Sequence, residues 1–400
     1  MQPVVQDHQG RPRVSVVMAN FEAGEKLIPA LRSVLAQTMA DLEIIVSDDA
    51  SQDDSLALIR TIMADDKRIR LIAGETNRGP AHCRNQALAL ARGDWVAVVD
   101  SDDIIHPERF ERLLAAAEQH HADIVADNLL LFHDDGSPAA LMLEEESRGS
   151  FAVSPRDWVL AGMDGMPALG YLKPLIRADR LADLRYDESL RIGEDYDLVL
   201  RLLMAGAQMT VVREPFYLYR RHSASISHRL SVPDMQAMLG RQEALATVQQ
   251  PLSAELAAAF ARRSAVLRAG LSYAQLVASL KSRQLGQVLG RLAAEPGHFG
   301  RLWQSLAEGR RRRRGQEKPK RRPDMLALGA AGMPGVDRVV PDYVPAQEMN
   351  WSVPRPHWIW RELAGHAGGR CVALDRAGQY AAGFIPEVML ENRAVPQEAL

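Results

Sequence analysis

Gly93-Asp-Trp-Val-Ala-Val-Val-Asp-Ser-Asp-Asp103 is the stretch on which the fold turns. Its centre, Trp95 to Val99, is a short apolar run bounded by turn residues, and such a run reads as a strand. The strand ends in Asp100-Ser-Asp-Asp103, three carboxylates within four residues. Neighbouring carboxylates repel one another unless a cation compensates them. Oxygen ligands clustered at a strand end suit Mg2+ or Mn2+, which keep waters and bind through one or two carboxylates plus substrate phosphates. A solvated acidic turn capping the next helix is the competing account, because Asp is also a good N-cap. Pro107 is suited to open that helix at its first position, where its missing N–H costs nothing.

Working outward toward the N-terminus, β-rich runs alternate with helix-length segments, the pattern of an α/β unit with a mostly parallel sheet. Val14 to Met18 reads as the first strand. Gly24 to Gln37 follows as a helix with Leu27, Ile28, Leu31, Val34 and Leu35 on one face. Leu42 to Val46 is the second strand and ends in Ser47-Asp48-Asp49. A helix from about Asp53 to Ala64, a strand at Ile69 to Ala73 and, after the loop Gly74 to Pro80, a helix running to about Arg92 complete this half. In open α/β sheets ligands bind at the carboxyl ends of strands. Asn20 and Phe21, Asp48 and Asp49, and Asp100 to Asp103 all fall at such ends, so they are expected to converge on one crevice. A carboxylate at the second strand end accepts a hydrogen bond from a base N–H, with Phe21 offering a stacking face; helix capping by Asp48 or Asp49 explains the same residues without a ligand.

Toward the C-terminus, a loop at about Asp134 to Gly149 precedes Gly193-Glu-Asp-Tyr-Asp197, which opens a helix to about Met204 with Leu198, Leu202 and Leu203 on its apolar side. Glu194 and Asp195 suit a helix N-terminus electrostatically, and a carboxylate there is equally a candidate general base facing a metal. A strand from Met209 to Val212 leads to Tyr217-Leu-Tyr-Arg-Arg-His222. Residues from about Pro233 to Ala307 are expected to be helical. Arg310 to Arg322 is a basic run that begins with five consecutive arginines. A charged linker, an RNA contact and a patch for anionic lipid all fit its charge; it lacks the aromatic interleaving of a single-strand nucleic-acid site, whereas basic residues near an anionic membrane each contribute about 1 kcal/mol. The tail beyond it is rich in Gly and Pro yet holds Trp351, Trp358 and Trp360.

Composition narrows the class. The 400 residues are 47% hydrophobic and 25% charged with a formal net charge of −3, so no global charge argues for nucleic acid as a partner. Cys83 and Cys371 are the two cysteines and sit in no CxxC pattern, which supports neither a zinc site nor a disulfide framework and fits a reducing cytoplasm. Met1 to Arg13 is polar and lacks the apolar core of a secretory signal. No stretch reaches the roughly 18 apolar residues of a membrane span, so any membrane contact is expected to be peripheral. Ala19-Asn-Phe-Glu-Ala-Gly24, after the first strand, is too poor in glycine for a nucleotidyltransferase phosphate loop or a dinucleotide fingerprint.

Taken in order, Val14 to Phe21, Ser33-Val-Leu-Ala-Gln-Thr38, Ile45 to Ser51, Asn77-Arg-Gly79, Ala81-His-Cys-Arg-Asn85, Gly93 to Asp103, Gly193-Glu-Asp195 and Tyr219-Arg-Arg-His222 resemble the family 2 glycosyltransferases of the GT-A, nucleotide-diphospho-sugar transferase fold. The resemblance extends over residues 13 to about 225, and within the family the N-terminal half is most similar to the succinoglycan-type exopolysaccharide enzymes. It implies an inverting transfer from a nucleotide-diphospho-sugar, most readily a UDP-sugar, to a lipid-linked oligosaccharide or glycan acceptor. By position it assigns Asp49 to the base, Phe21 to stacking, Arg84 to the phosphates, and Asp100 and Asp102 to the D-x-D pair with Asp102 on the metal. Asp103 takes ribose or metal contacts, Asp195 is the catalytic base, and Arg221 and His222 touch pyrophosphate or metal. Ala19 departs from relatives that carry a hydroxyl near the base. The expected organisation is a polar tail (1–12), the GT-A domain (13–230), a helical extension (231–309), the basic segment (310–323) and a C-terminal region without an assigned role (324–400). A catalytically silent scaffold that recruits partners through the helical and basic half is the alternative, against which the acidic crevice argues.

Overall fold

The computed structural model describes residues 10–133, 140–143, 149–163, 165–221, 230–248, 251–300 and 302, with two short segments, 338–339 and 371–372, paired in parallel. His222, the basic run 310–322 and the three C-terminal tryptophans lie outside the described residues.

The first half is built as expected from its periodicity. Strand β1 (Val14–Asn20) and β2 (Leu42–Asp48) are almost wholly buried on both faces, the condition under which parallel strands become apolar runs. Between them, a 3-10 turn at Gly24–Lys26 leads into α1 (Leu27–Leu35), which buries Leu27, Leu31 and Val34. Helix α2 (Ser55–Asp65), β3 (Ile69–Ala73), α3 (Pro80–Leu90) and β4 (Trp95–Val98) follow. Next come β5 (Ile104–Ile105), α4 (Arg109–His120), β6 (Ile124–His133), β7 (Ala140–Leu141), β8 (Ser150–Val153) and α5 (Pro155–Leu160). The remainder is β9 (Leu175–Arg177), α6 (Ala178–Leu181), α7 (Glu194–Met204), β10 (Met209–Arg221), α8 (Val232–Val248), α9 (Ala254–Lys281) and α10 (Leu285–Ala294).

The strands form one sheet in the order β3-β2-β1-β4-β9-β6-β10-β5, with β7 on β6 and β8 on β10. Strands β3, β2, β1 and β4 are mutually parallel, as are β6 and β10, while β9 runs antiparallel between the two groups. Register aligns Asn20 with Asp48 and Val17 with Val98, so the carboxyl ends of β1, β2 and β4 open on the same side. That alignment brings three separate polar strand ends to one edge of the sheet.

Two local expectations change. Pro107 does not open α4: its carbonyl accepts the Thr38 N–H at 2.9 Å and the Glu108 N–H donates to His106 Nδ1, so residues 106–108 form a turn and the helix begins at Arg109. The strand expected at Met209 to Val212 continues to Arg221, with an irregularity around Pro215 where proline interrupts the ladder.

Below the crevice, Arg109 and Asp127 form an ion pair with both side chains fully buried, at 2.8 Å. The helical extension adds to the same core through Leu245, Ala259 and Phe260. Among the described residues no helix is long and apolar enough to cross a membrane.

Candidate active site

One wall of the crevice is the end of β2 and the loop before α3. Asp48 is fully buried and accepts Asn20 Nδ2 at 2.6 Å, the Ser51 N–H at 2.9 Å and the Ser51 hydroxyl at 2.7 Å, so it serves the turn itself. Ala50 at the tip has φ 63°, a left-handed conformation that is costly for a residue with a Cβ. Asp49 accepts the N–H groups of Arg78 at 2.7 Å and Gly79 at 2.8 Å. It thereby pins the loop that starts α3, where Gly79 (φ 91°) caps and Pro80 leads the helix. Phe21, just past β1, remains 46% exposed, an apolar face presented at this strand end.

The opposite wall is the end of β4. The Asp100 N–H donates to Tyr217 Oη at 3.1 Å, and the Tyr217 hydroxyl donates to Asp103 at 2.8 Å. Asp103 also accepts the Arg220 N–H at 2.7 Å and is 1% exposed, while Arg220 Nε donates to the Asp102 carbonyl at 2.8 Å. Burial, reinforced by the charges of Asp102 and Asp100, drives the Asp103 carboxyl well above the ordinary carboxylate range. Asp103 thus ties the acidic turn to β10. Asp102, one residue earlier, is half-buried at the turn.

Two cations join these walls to helix α7. Arg84 of α3 reaches Glu194 at 2.6 Å, Asp100 at 2.9 Å and Asp195 at 3.3 Å. Lys173, just before β9, reaches Asp100 at 2.8 Å and Asp195 at 3.2 Å. Burial alone favours the neutral forms of Arg84 and Lys173, but the surrounding carboxylates outweigh it and hold both well above their usual values. For Asp100, burial pushes upward and the charges of Lys173 and Arg84 prevail, holding its carboxyl below the usual range. Glu194 goes the other way, raised by burial and by Asp195. The result is a partly buried network of two cations and three carboxylates, each ion-paired, with Arg84 Nε left without a hydrogen-bond partner among the described residues.

Arg84, Asp100 and Asp195, separate in the sequence, therefore meet at one point, with Asp102 and Asp103 on the adjoining turn and Phe21 and Asp49 just past β1 and β2. Arg221 lies at the end of β10, its guanidinium 5.9 Å from the Tyr171 ring and its Nε buried without a partner among the described residues. His222 falls outside them. Lys173 and Glu194 were not among the assigned site residues. The one sequence signal for Lys173 is a lone lysine in Leu172-Lys-Pro-Leu-Ile176, a charge in an apolar stretch that demands a partner.

A mostly parallel sheet with acidic groups at the carboxyl ends of its strands is the architecture of the GT-A, nucleotide-diphospho-sugar transferase fold. Residues 15–169 match the model of glycosyl transferase family 2. The succinoglycan biosynthesis protein ExoO of Rhizobium meliloti (strain 1021) is 34% identical over 309 residues, 75% of this chain and 87% of that protein. ExoU of the same organism is 32% identical over 337 residues, 80% of this chain and 93% of that protein. Among solved structures, residues 1–349 of S. aureus TarS in complex with UDP-GlcNAc superpose with a TM-score of 0.52 at 20% identity, covering 63% of this chain and 72% of that one. The chain belongs to glycosyl transferase family 2.

Proposed function

We propose that this protein is an inverting, divalent-metal-dependent glycosyltransferase that moves a hexosyl group from a UDP-sugar to a hydroxyl of a lipid-linked or polysaccharide acceptor in exopolysaccharide synthesis. The observation that carries the reading is that Asp100 and Asp195 share the same two cations, Arg84 and Lys173, at 2.8 to 3.3 Å. The acidic strand end and the proposed base therefore border one site. Succinoglycan synthesis in the names of ExoO and ExoU supports the polysaccharide context, and the UDP-GlcNAc complex of TarS makes UDP-sugars the first donors to try.

Asp49 and Phe21 border the pocket for the base, one as acceptor and one as stacking face. Arg84 and Lys173 supply positive charge for the diphosphate, and Arg221 adds a further guanidinium from β10. Asp102 would be the first donor to Mn2+ or Mg2+, joined by Asp100 if one of its oxygens, now held by Arg84 and Lys173, turned to the ion. Among the described residues no three His, Cys, Asp or Glu side chains form a metal cage. A pair of carboxylates two residues apart fits a hard ion whose remaining ligands are phosphate oxygens and water. When bound, such an ion would supply positive charge against the departing nucleoside diphosphate. Asp195 takes the proton from the acceptor hydroxyl as its oxygen attacks the anomeric carbon and the bond to the diphosphate breaks on the other face. One base suffices for a single displacement, which inverts the anomeric configuration. Asp103 and Tyr217 hold the D-x-D turn in place. A lipid-linked acceptor would bring the enzyme to the inner face of the plasma membrane, where the charge of the basic segment 310–322 suits anionic lipid.

The test is release of nucleoside diphosphate from a panel of UDP- and GDP-sugars, with Mn2+, Mg2+ or EDTA and membrane lipid extract as acceptor. Metal-dependent release from a UDP-sugar, abolished in Asp102→Asn and Asp195→Asn, supports the reading. Unchanged release in Asp195→Asn removes the base assignment, and a protein that neither turns over nor binds UDP by calorimetry removes the transferase.

A further inference from the structure

The proposed base sits at the first turn of α7, and α7 is not anchored by the sheet alone. Asp197, two residues beyond Asp195, is 1% exposed and accepts Arg201 of its own helix at 2.7 Å. It also accepts Arg241 Nε, from α8, at 2.6 Å. The same Nε lies 3.3 Å from Asp187. Asp187 directly follows Tyr186, whose ring packs 5.6 Å from the Arg84 guanidinium and whose backbone is clasped by Asn85 on both its N–H (2.8 Å) and its carbonyl (3.0 Å). One side chain of the helical extension thus bridges the loop behind Arg84 and the helix carrying Asp195.

Neighbouring contacts point the same way. Gly193, at φ 88°, leaves its Cβ position 3.5 Å from Met238 of α8, and the Tyr196 hydroxyl donates to Gln242 of α8 at 3.1 Å. Arg263 of α9 stacks 4.0 Å from the Tyr196 ring centre. Charge neutralisation alone does not account for Arg241, because Arg201 already pairs Asp197. What Arg241 adds is a second charge contact: the Nε that donates to Asp197 also lies 3.3 Å from Asp187, so one cation attracts both carboxylates.

We propose that Arg241 is a positioning residue of the active site: by drawing Asp197 of α7 toward Asp187 it holds Asp195 in place relative to Arg84, which Asp100 fixes independently at 2.9 Å, making the helical extension part of the catalytic apparatus. The inference rests on the reading of Asp195 as base. Displacing a base by about 1 Å costs on the order of 100-fold in rate while leaving donor contacts largely intact.

The test uses the full chain with Arg241→Met, Arg241→Lys, Asp187→Asn and Asp195→Asn, measuring kcat, donor KM and UDP affinity by calorimetry. Arg241→Met is expected to lower kcat at least tenfold with donor KM and UDP affinity changed less than threefold. Arg241→Lys recovers part of kcat, and Asp187→Asn, which cuts only the loop arm, lowers kcat in the same direction. An unchanged kcat in Asp187→Asn overturns the bridge, even if Arg241→Met fails to fold. Loss of UDP affinity in step with kcat across the Arg241 variants overturns it too, as that is general loosening of the fold. If Asp195→Asn is inactive while Arg241→Met is fully active, the positioning role alone fails; if Asp195→Asn is active, the base assignment fails.

Discussion

The ammonium of Lys173 lies 3.2 Å from the Asp195 carboxylate and draws the proposed base toward the acidic turn after β4. Its second contact, 2.8 Å to Asp100, makes it the shorter of the two cationic links across the crevice. Lys173→Met leaves three carboxylates facing Arg84 alone. A loss of about 2–3 kcal/mol is expected at neutral pH, less than for a fully enclosed pair because both acids keep some solvent contact. Urea titration measures it, and turnover is expected to fall as well. A variant as stable and as active as the parent would contradict the network.

Deeper in the domain, Arg109 and Asp127 are both fully buried, and Asp127 also accepts the Phe216 N–H at 3.0 Å. Arg109→Met strands a buried carboxylate and is expected to destabilise the fold by about 3–5 kcal/mol. Adding Asp127→Leu to that variant should restore part of the loss. A double variant less stable than Arg109→Met would mean that the strain lies in packing rather than in the orphaned charge.

His106 supplies a pH dependence. It is buried, its Nδ1 accepts the Glu108 N–H, and burial pulls its pKa from 6.5 down to about 4. Between those values the unfolded chain binds more protons than the folded one, so stability falls as pH drops through this window, by about 3 kcal/mol at most. The contribution is fully present above about 6.5. His106→Gln should flatten the urea midpoint against pH over this interval, and parallel curves for the two proteins would count against it.

Gly93 is required by space. A Cβ there would sit 2.5 Å from the Ser15 nitrogen and 2.9 Å from the Trp95 carbonyl oxygen, both backbone atoms. Gly93→Ala must therefore shift β1 against β4, at about 1–3 kcal/mol. Because those strands end in Phe21 and the D-x-D turn, UDP affinity should weaken along with stability. Calorimetry on a folded variant that binds UDP normally would separate the two effects.

Asp49 has two N–H groups to satisfy, those of Arg78 and Gly79. Asp49→Ala leaves both without their acceptor and frees the loop before α3. UDP affinity is expected to fall about tenfold or more. Asp49→Asn, which keeps one acceptor oxygen, should fall between the parent and Asp49→Ala; equal affinity in all three would remove Asp49 from the base pocket.

Much of the frame was legible in residue order. The strands β1, β2, β3 and β4 lie where apolar runs end in polar residues, and Glu194 opens α7 as its acidic first turn suggests. Pro107 was misleading because its carbonyl is engaged by Thr38, a partner that local pattern does not reveal. Asp103 was read as a ribose or metal contact, and its partners, the Tyr217 hydroxyl and the Arg220 N–H, lie too far along the chain for local pattern to reveal. Lys173 carried only the faint signal of a charge within an apolar stretch.

By itself the sequence determined the α/β alternation, the strand ends on which acids cluster and the family to which the ordered motifs belong, because periodicity and strand termination are encoded within a few residues. Only the tertiary structure decided which charges meet. Arg84 and Glu194 are 110 residues apart in the chain, and Tyr217 and Asp103 are separated by 114. Such partners are chosen by the strand order and by the antiparallel insertion of β9 that delivers Lys173. In a buried crevice, charge satisfaction depends on distances of about 3 Å that no local pattern specifies.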